Sequence, residues 1–253
     1  MAYAKVRESK APDVPLKEQW LSFGSVVFDY LTIGGALVLM VVALAFDFLI
    51  APNEVNQGPV QRIFYIHVPS AWVAFMAFLL VALSSIAYLV SRDRRWDIYA
   101  HACAEVGILF CTIVLITGPI WAKPIWGVWW TWDARLTLTL ILWFIYLAYL
   151  MIRAQDIEAE KKARYSAVLA IVGAVSIPIN HFSVVWWRTI HPKPVVLTER
   201  GIGAGLEHSM FLVALGVTFL ALLTMFTALL RQRVALEEMR DESERLRLRL
   251  EGR

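Results

Sequence analysis

The sequence predicts an all-α polytopic membrane protein, a helix bundle with six transmembrane helices and both termini cytoplasmic. Three observations carry that expectation. Hydrophobic residues make up 59% of the 253 positions and charged residues only 18%, with a mean hydropathy of +0.60, a balance typical of chains that live in a bilayer. Six apolar runs are each of helical membrane-spanning length, and alternating strand-length segments of the kind an outer-membrane barrel needs are absent. Lysine and arginine fall unevenly between the two sets of loops, 18 against 6, and the richer set marks the cytoplasmic side.

Residues 1–25 are polar, charged and interrupted by Pro12 and Pro15, so they read as a cytoplasmic tail and not as a cleavable signal. The spans lie near residues 26–50, 68–90, 98–120, 136–153, 165–186 and 207–230, giving a membrane domain at 26–230. Residues 231–253 change character: Leu236, Met239, Leu246 and Leu250 follow 3–4 spacing among alternating charges, the pattern of a cytoplasmic amphipathic helix. Cys103 and Cys111 stand eight residues apart in one span, a rise of about 12 Å, too far for a disulfide, and read as packed thiols. No CxxCH, P-loop or zinc spacing occurs. Gly201-Ile202-Gly203-Ala204-Gly205 reads as a flexible hinge. The net charge of +3 is too small and too spread to suggest nucleic acid.

The most informative segment runs from Trp121 to Asp133. Five tryptophans fall within twelve residues, at Trp121, Trp126, Trp129, Trp130 and Trp132. The stretch is too aromatic for an ordinary solvated loop and too rich in Pro and Gly to read as a long helix. Indoles prefer a membrane–water boundary, so the segment is either a dense aromatic belt or a π-faced surface for a flat apolar ligand. Four of five histidines, His67, His181, His191 and His208, gather on the same outward side. His67 is expected to end the first outward loop, just before Val68-Pro69 opens the second span. Two imidazoles on separate outward loops suit a bis-histidine haem site, although any one of them alone is more often a structural hydrogen-bonding residue.

Here the residues resemble a known family. Trp126-Gly127-Val128-Trp129-Trp130-Thr131-Trp132-Asp133-Ala134-Arg135 looks like the WWD motif of haem-handling proteins. Arg62–Pro69 and His181–His191 resemble the two histidine segments of the CcmC family, the haem exporter protein C family of cytochrome c maturation. The similarity covers about residues 30–230. It implies haem b as the cofactor, with His67 and His191 as axial ligands of its iron. Trp121, Trp126, Trp129, Trp130, Trp132 and Asp133 become the platform under the macrocycle. It further implies delivery of haem to a CcmE-like periplasmic chaperone, association with CcmA/CcmB ABC-type subunits and a CcmD-like small membrane protein, and residence in the bacterial inner membrane without enzymatic turnover of its own. Val185 departs from the pattern, since relatives can carry an acid there.

Haem propionates need cations. Arg62, Lys123, Arg135 and Arg188 are the outward candidates, with Arg62 and Arg135 foremost; Arg135 reads equally as a partner of Asp133 or a snorkelling helix-end residue. Intramembrane ionisable residues are functional suspects: Asp29, Asp47, Glu105 and Glu207 qualify. Glu105 stands one turn from His101, as a buried interhelical pair or a point where haem or a partner is met. Pro178 is placed to kink the fifth span and aim His181 inward. Two other functions fit less of the sequence: a WWD-type synthase joining haem directly to apocytochrome, and a structural membrane subunit.

Overall fold

The computed structural model describes residues 23–198, 200–206 and 208–251. Residues 1–22 of the expected tail, and Glu207, lie outside these. Helix α1 spans Phe23–Ala45 and continues through a π-helical turn, Phe46–Ile50. A 3-10 turn at Pro59–Ile63 leads into α2, Phe64–Ser91, followed by α3, Arg94–Trp126. Helices α4 (Ala134–Arg153), α5 (Ala159–Trp186) and α6 (Ser209–Leu250) complete the bundle, with two short strands, β1 (Leu197–Thr198) and β2 (Gly201–Ile202), before α6. Six helices among the described residues are long and apolar enough to cross a membrane, as the hydropathy pattern predicts.

Helices α2 and α3 form the spine. Val73, Ala77, Phe78 and Val81 on α2 meet Cys103, Val106 and Phe110 on α3, and Tyr146 of α4 and Phe226 of α6 close the cluster. Lipid is as apolar as these side chains, so close packing and hydrogen bonds must hold the helices together. The glycines show how close: a Cβ on Gly107 would stand 2.8 Å from Phe78 Cε1, and one on Gly173 would stand 2.8 Å from Ile145 Cγ2. Tyr146 stacks on Phe78 with ring centroids 3.8 Å apart. Its hydroxyl lies 3.1 Å from the Phe78 carbonyl oxygen and 3.2 Å from that of Ala170, tying three helices at one buried atom. Both cysteines are free and buried.

The two ends of the bundle are built differently. At the end away from the tryptophans, charges are fastened in pairs. Arg153 of α4 grips Asp97 of α3 through two nitrogens, at 2.5 and 2.9 Å, with both side chains almost fully buried. Arg94 joins Asp97 and reaches Asp241 at 3.1 Å. His101 and Glu105 form the pair their spacing predicts, and His101 also meets Glu237 at 3.2 Å while Arg233 engages Glu105 and Glu237. These contacts lock the C-terminal stretch onto α3, and α6 runs through residue 231 without a break to Leu250.

At the tryptophan end, the helix boundaries revise three expectations. The Trp-rich segment is loop only from Gly127 onward, because α3 continues through Pro119 and Pro124 to Trp126. Proline removes one donor but is tolerated in membrane helices; the actual stop is Gly127, whose φ of 75° is the left-handed cap that glycine accepts without strain. His67 does not end a loop: it sits in the first turn of α2, with Pro69 inside the same helix. The Gly201–Gly205 stretch is a hairpin, not a hinge. Gly203 N–H donates to Val196 O at 2.6 Å and Gly205 N–H to Val195 O at 3.1 Å.

Candidate functional site

Two joined cavities open at the tryptophan end, one of about 80 Å³ and one of about 560 Å³. His67, Ala71, Phe75, Trp121, Trp126, Arg135 and His191 line both. The smaller descends between α2, α3 and α4 past Ala74, Val114 and Leu115 to Cys111, and its wall is mainly apolar. The larger opens towards the 190–196 segment and carries the polar groups Glu54, Gln57, Gln61, His181 and Lys193. The larger falls within the ~300–1,000 Å³ of ordinary small-molecule pockets, and together the two linings suit a mostly apolar ligand with a charged edge.

The mounting of the two shared histidines decides what they can do. His67 Nδ1 lies 2.8 Å from Thr117 Oγ1. The Thr117 hydroxyl donates its own proton to the Ile113 carbonyl at 2.7 Å, so towards His67 it can only accept. His67 therefore carries its proton on Nδ1 and leaves Nε2 with a free lone pair. His191 Nδ1 lies 3.0 Å from the Pro192 carbonyl oxygen, which again can only accept. His191 shares the tautomer, and its Nε2 is bare as well. Fixing one ring nitrogen to orient the other is how ligating histidines are usually held. Burial and the Arg135 charge push the His191 pKa down to about 4, so this imidazole is neutral at physiological pH.

Two imidazoles do not fill the coordination of a bare ion. Among the described residues no cluster of three or more His, Cys, Asp or Glu side chains comes together as a metal site. Two neutral histidines on a roomy apolar cavity suit a metal that brings its own in-plane donors, which describes haem iron. The Trp130 indole nitrogen adds a second sign of fit. It is buried in the wall without a hydrogen-bond partner among the described residues, and a buried donor of that kind calls for an acceptor.

The tryptophans divide into three groups. Trp121 is buried against Phe64 and Tyr65, its Nε1 donates to Gln57 Oε1 at 2.9 Å, and its ring meets His67 edge-on at 5.8 Å. Trp126 and Trp130 line the cavity. Trp129 and Trp132 line neither cavity and are 58% and 76% exposed, so the six platform residues do not form one continuous shelf. Asp133 lies off the cavity too. It caps α4, accepting from Leu136 N–H at 3.1 Å and from the Thr131 hydroxyl at 3.1 Å.

The cations also sort. Arg135 lines both cavities, with one nitrogen 3.4 Å from the His181 carbonyl oxygen. Arg62 is engaged elsewhere: its guanidinium donates to the carbonyls of Asp47, Phe48 and Ala51 and to Asn53 Oδ1, holding the end of the α1 segment. A chain end leaving a π-helical turn has carbonyls without helical partners, and a five-donor side chain satisfies several at once. Lys123 caps its own helix, donating to Gly127 O at 2.9 Å. The sequence reading missed Lys193 as a cavity cation, although it follows His191 by two residues. It also missed Thr117 and Gln57, whose partners are 50 and 64 positions away.

Known proteins resemble this chain over most of its length. The family model described as Heme exporter protein C matches residues 17–249. Heme exporter protein C of Bradyrhizobium diazoefficiens is 37% identical over 218 residues, 86% of this chain and 80% of the relative. A putative cytochrome c biosynthesis ccmC-like mitochondrial protein of Marchantia polymorpha is 36% identical over 69% of this chain and 73% of its own. Heme exporter protein C of Escherichia coli K12 is 34% identical over 68% and 66%. This six-helix membrane bundle, matched along nearly its whole length, belongs to the heme exporter protein C family.

Proposed function

We propose that this protein holds haem b in the joined cavity, with His67 and His191 Nε2 as axial ligands, and passes it to a CcmE-like haem chaperone for cytochrome c biogenesis. The observation that carries the reading is the shared mounting of the two histidines: both line one space, and both have Nδ1 occupied so that Nε2 is the free donor. Arg135 and Lys193 supply positive charge for the propionates, replacing the earlier pairing of Arg135 with Arg62. Trp121, Trp126 and Trp130 give the aromatic wall, while the exposed Trp129 and Trp132 offer a surface to the chaperone. Nothing in the sequence resembles an ATP site, so the energy for release comes from CcmA/CcmB-type subunits, with a CcmD-like protein in the same complex.

The bias of 18 basic residues against 6 supports cytoplasmic termini and an outward cavity in a bacterial inner membrane. The test of ligation is the visible and electron paramagnetic resonance spectrum of the purified protein. His67→Ala and His191→Ala should each abolish the low-spin six-coordinate signature, and His181→Ala should leave it in place. A six-coordinate spectrum in either of the first two variants would overturn the ligand assignment.

A further inference from the structure

We propose that Thr117 and Gly118 are positioning residues for His67, a built seat on α3 that fixes both the tautomer and the depth of the ligand imidazole. The proposal rests on the reading of His67 as a haem ligand. Three features of α3 meet the ring from one side. Thr117 Oγ1 lies 2.8 Å from His67 Nδ1. The absent side chain of Gly118 lets the ring close in, since a Cβ there would stand 3.3 Å from His67 Cε1. Trp121 packs its edge against the ring, 5.8 Å between centroids, and is held by Gln57. Trp121 lies one turn along from both, at i+4 from Thr117 and i+3 from Gly118, so it neighbours each of them.

The direction of the Thr117 hydroxyl is what makes this more than a packing contact. Its proton is committed to Ile113 O at 2.7 Å, against 3.4 Å to the next carbonyl, Val114 O. A hydroxyl free to rotate could donate to Nδ1 and drive the proton to Nε2, which would block ligation. The helical back-bond removes that choice. Accepting from Nδ1–H also makes Nε2 a stronger donor, which favours ferric over ferrous iron. Gly118 is the complementary half: an added methyl would push Cε1, the atom between the two nitrogens, and displace Nε2 towards the cavity by a few tenths of an ångström.

The test compares Thr117→Val, which keeps the shape and loses the acceptor, with Thr117→Ser, which keeps the hydroxyl; Thr117→Ala serves as a second loss variant. In haem-free protein carrying ¹⁵N-histidine, His67 should show one Nδ1–H tautomer in the native and Ser forms and a mixture in the Val and Ala forms. In haem-loaded protein, Val and Ala should raise the midpoint potential and speed haem dissociation about 10- to 100-fold, the usual effect of removing an outer partner of a ligating histidine, while Ser restores both. Unchanged tautomer, potential and dissociation rate in Val and Ala would overturn the proposal. His67→Ala in parallel separates the two readings. If it leaves the haem spectrum unchanged, the ligand assignment falls, whereas the ¹⁵N measurement still reports on the Thr117–His67 bond.

Discussion

Trp121 and Trp132 sit eleven residues apart in the same aromatic run, and the structure assigns them opposite consequences. Trp121 is 8% exposed, packs edge-on against Phe64 at 6.1 Å and satisfies Gln57. Truncating a buried tryptophan to alanine costs about 3–5 kcal/mol. Trp121→Phe keeps most of the ring but leaves Gln57 Oε1 without its donor; a half-buried orphan of that sort costs about 1 kcal/mol, the low end for an unmade hydrogen bond. Trp132 is 76% exposed, and its loss should change stability by less than about 0.5 kcal/mol. Thermal inactivation of purified protein, scored by retention of monodisperse material, should therefore rank Trp121→Ala far below Trp121→Phe, with Trp132→Ala level with the native protein. Haem transfer to the chaperone, measured in the same membranes, should fall in Trp132→Ala despite its native stability. A Trp132→Ala protein as unstable as Trp121→Ala would refute the division of the run into core and surface.

Two other predictions follow from the charged groups. Asp97→Asn should cost about 3–5 kcal/mol, because it leaves the buried Arg153 guanidinium without its carboxylate; Asp97→Leu combined with Arg153→Leu should recover most of that, and denaturation of the two variants side by side decides it. His191 has its pKa pushed down to about 4, so the neutral, ligating form persists from pH 8 to about 5 and is lost as pH falls through 4. Haem retention read by the Soret band should hold across that range, whereas a decline centred near 6.5, the ordinary histidine value, would mean His191 is not shielded as the structure has it.

The architecture was legible because its causes are local. Spans are written in runs of apolar residues, whereas the capping role of Asp133, read from its motif as part of the platform, emerged only from the structure. His67 and His191 were legible as candidates through their motif, but their readiness as ligands was not, because Thr117 is separated from His67 by 50 positions. Arg62 misled for a related reason. It adjoins His67 in sequence, yet its side chain turns towards the carbonyls left open by a π-helical turn that hydropathy does not encode. The Trp run was read as loop because Pro124 is a helix breaker in water, while a bilayer and packed neighbours tolerate it, and the decisive stop at Gly127 depends on a positive φ.

The hairpin before α6 turns a sequence feature first read as a hinge into a support for the second ligand. His67 is held on a helix and by side chains of α3, whereas His191 is held by its own neighbours, through Thr189 Oγ1 at 3.0 Å and the Pro192 carbonyl. What fixes the 190–196 segment is its contact with the glycines. Gly205 N–H donates to Val195 O, and a Cβ at Gly205 would stand 2.6 Å from that same oxygen. Backbone cannot swing aside as a side chain can, so Gly205→Ala must lift the segment away and carry His191 with it. Gly34, on α1 with nothing within 4 Å of an added Cβ, is the control. Gly205→Ala should therefore reproduce the five-coordinate spectrum of His191→Ala with His67 still bound, and Gly34→Ala should leave the native spectrum intact. A native six-coordinate spectrum in Gly205→Ala would mean that His191 reaches the iron independently of the hairpin.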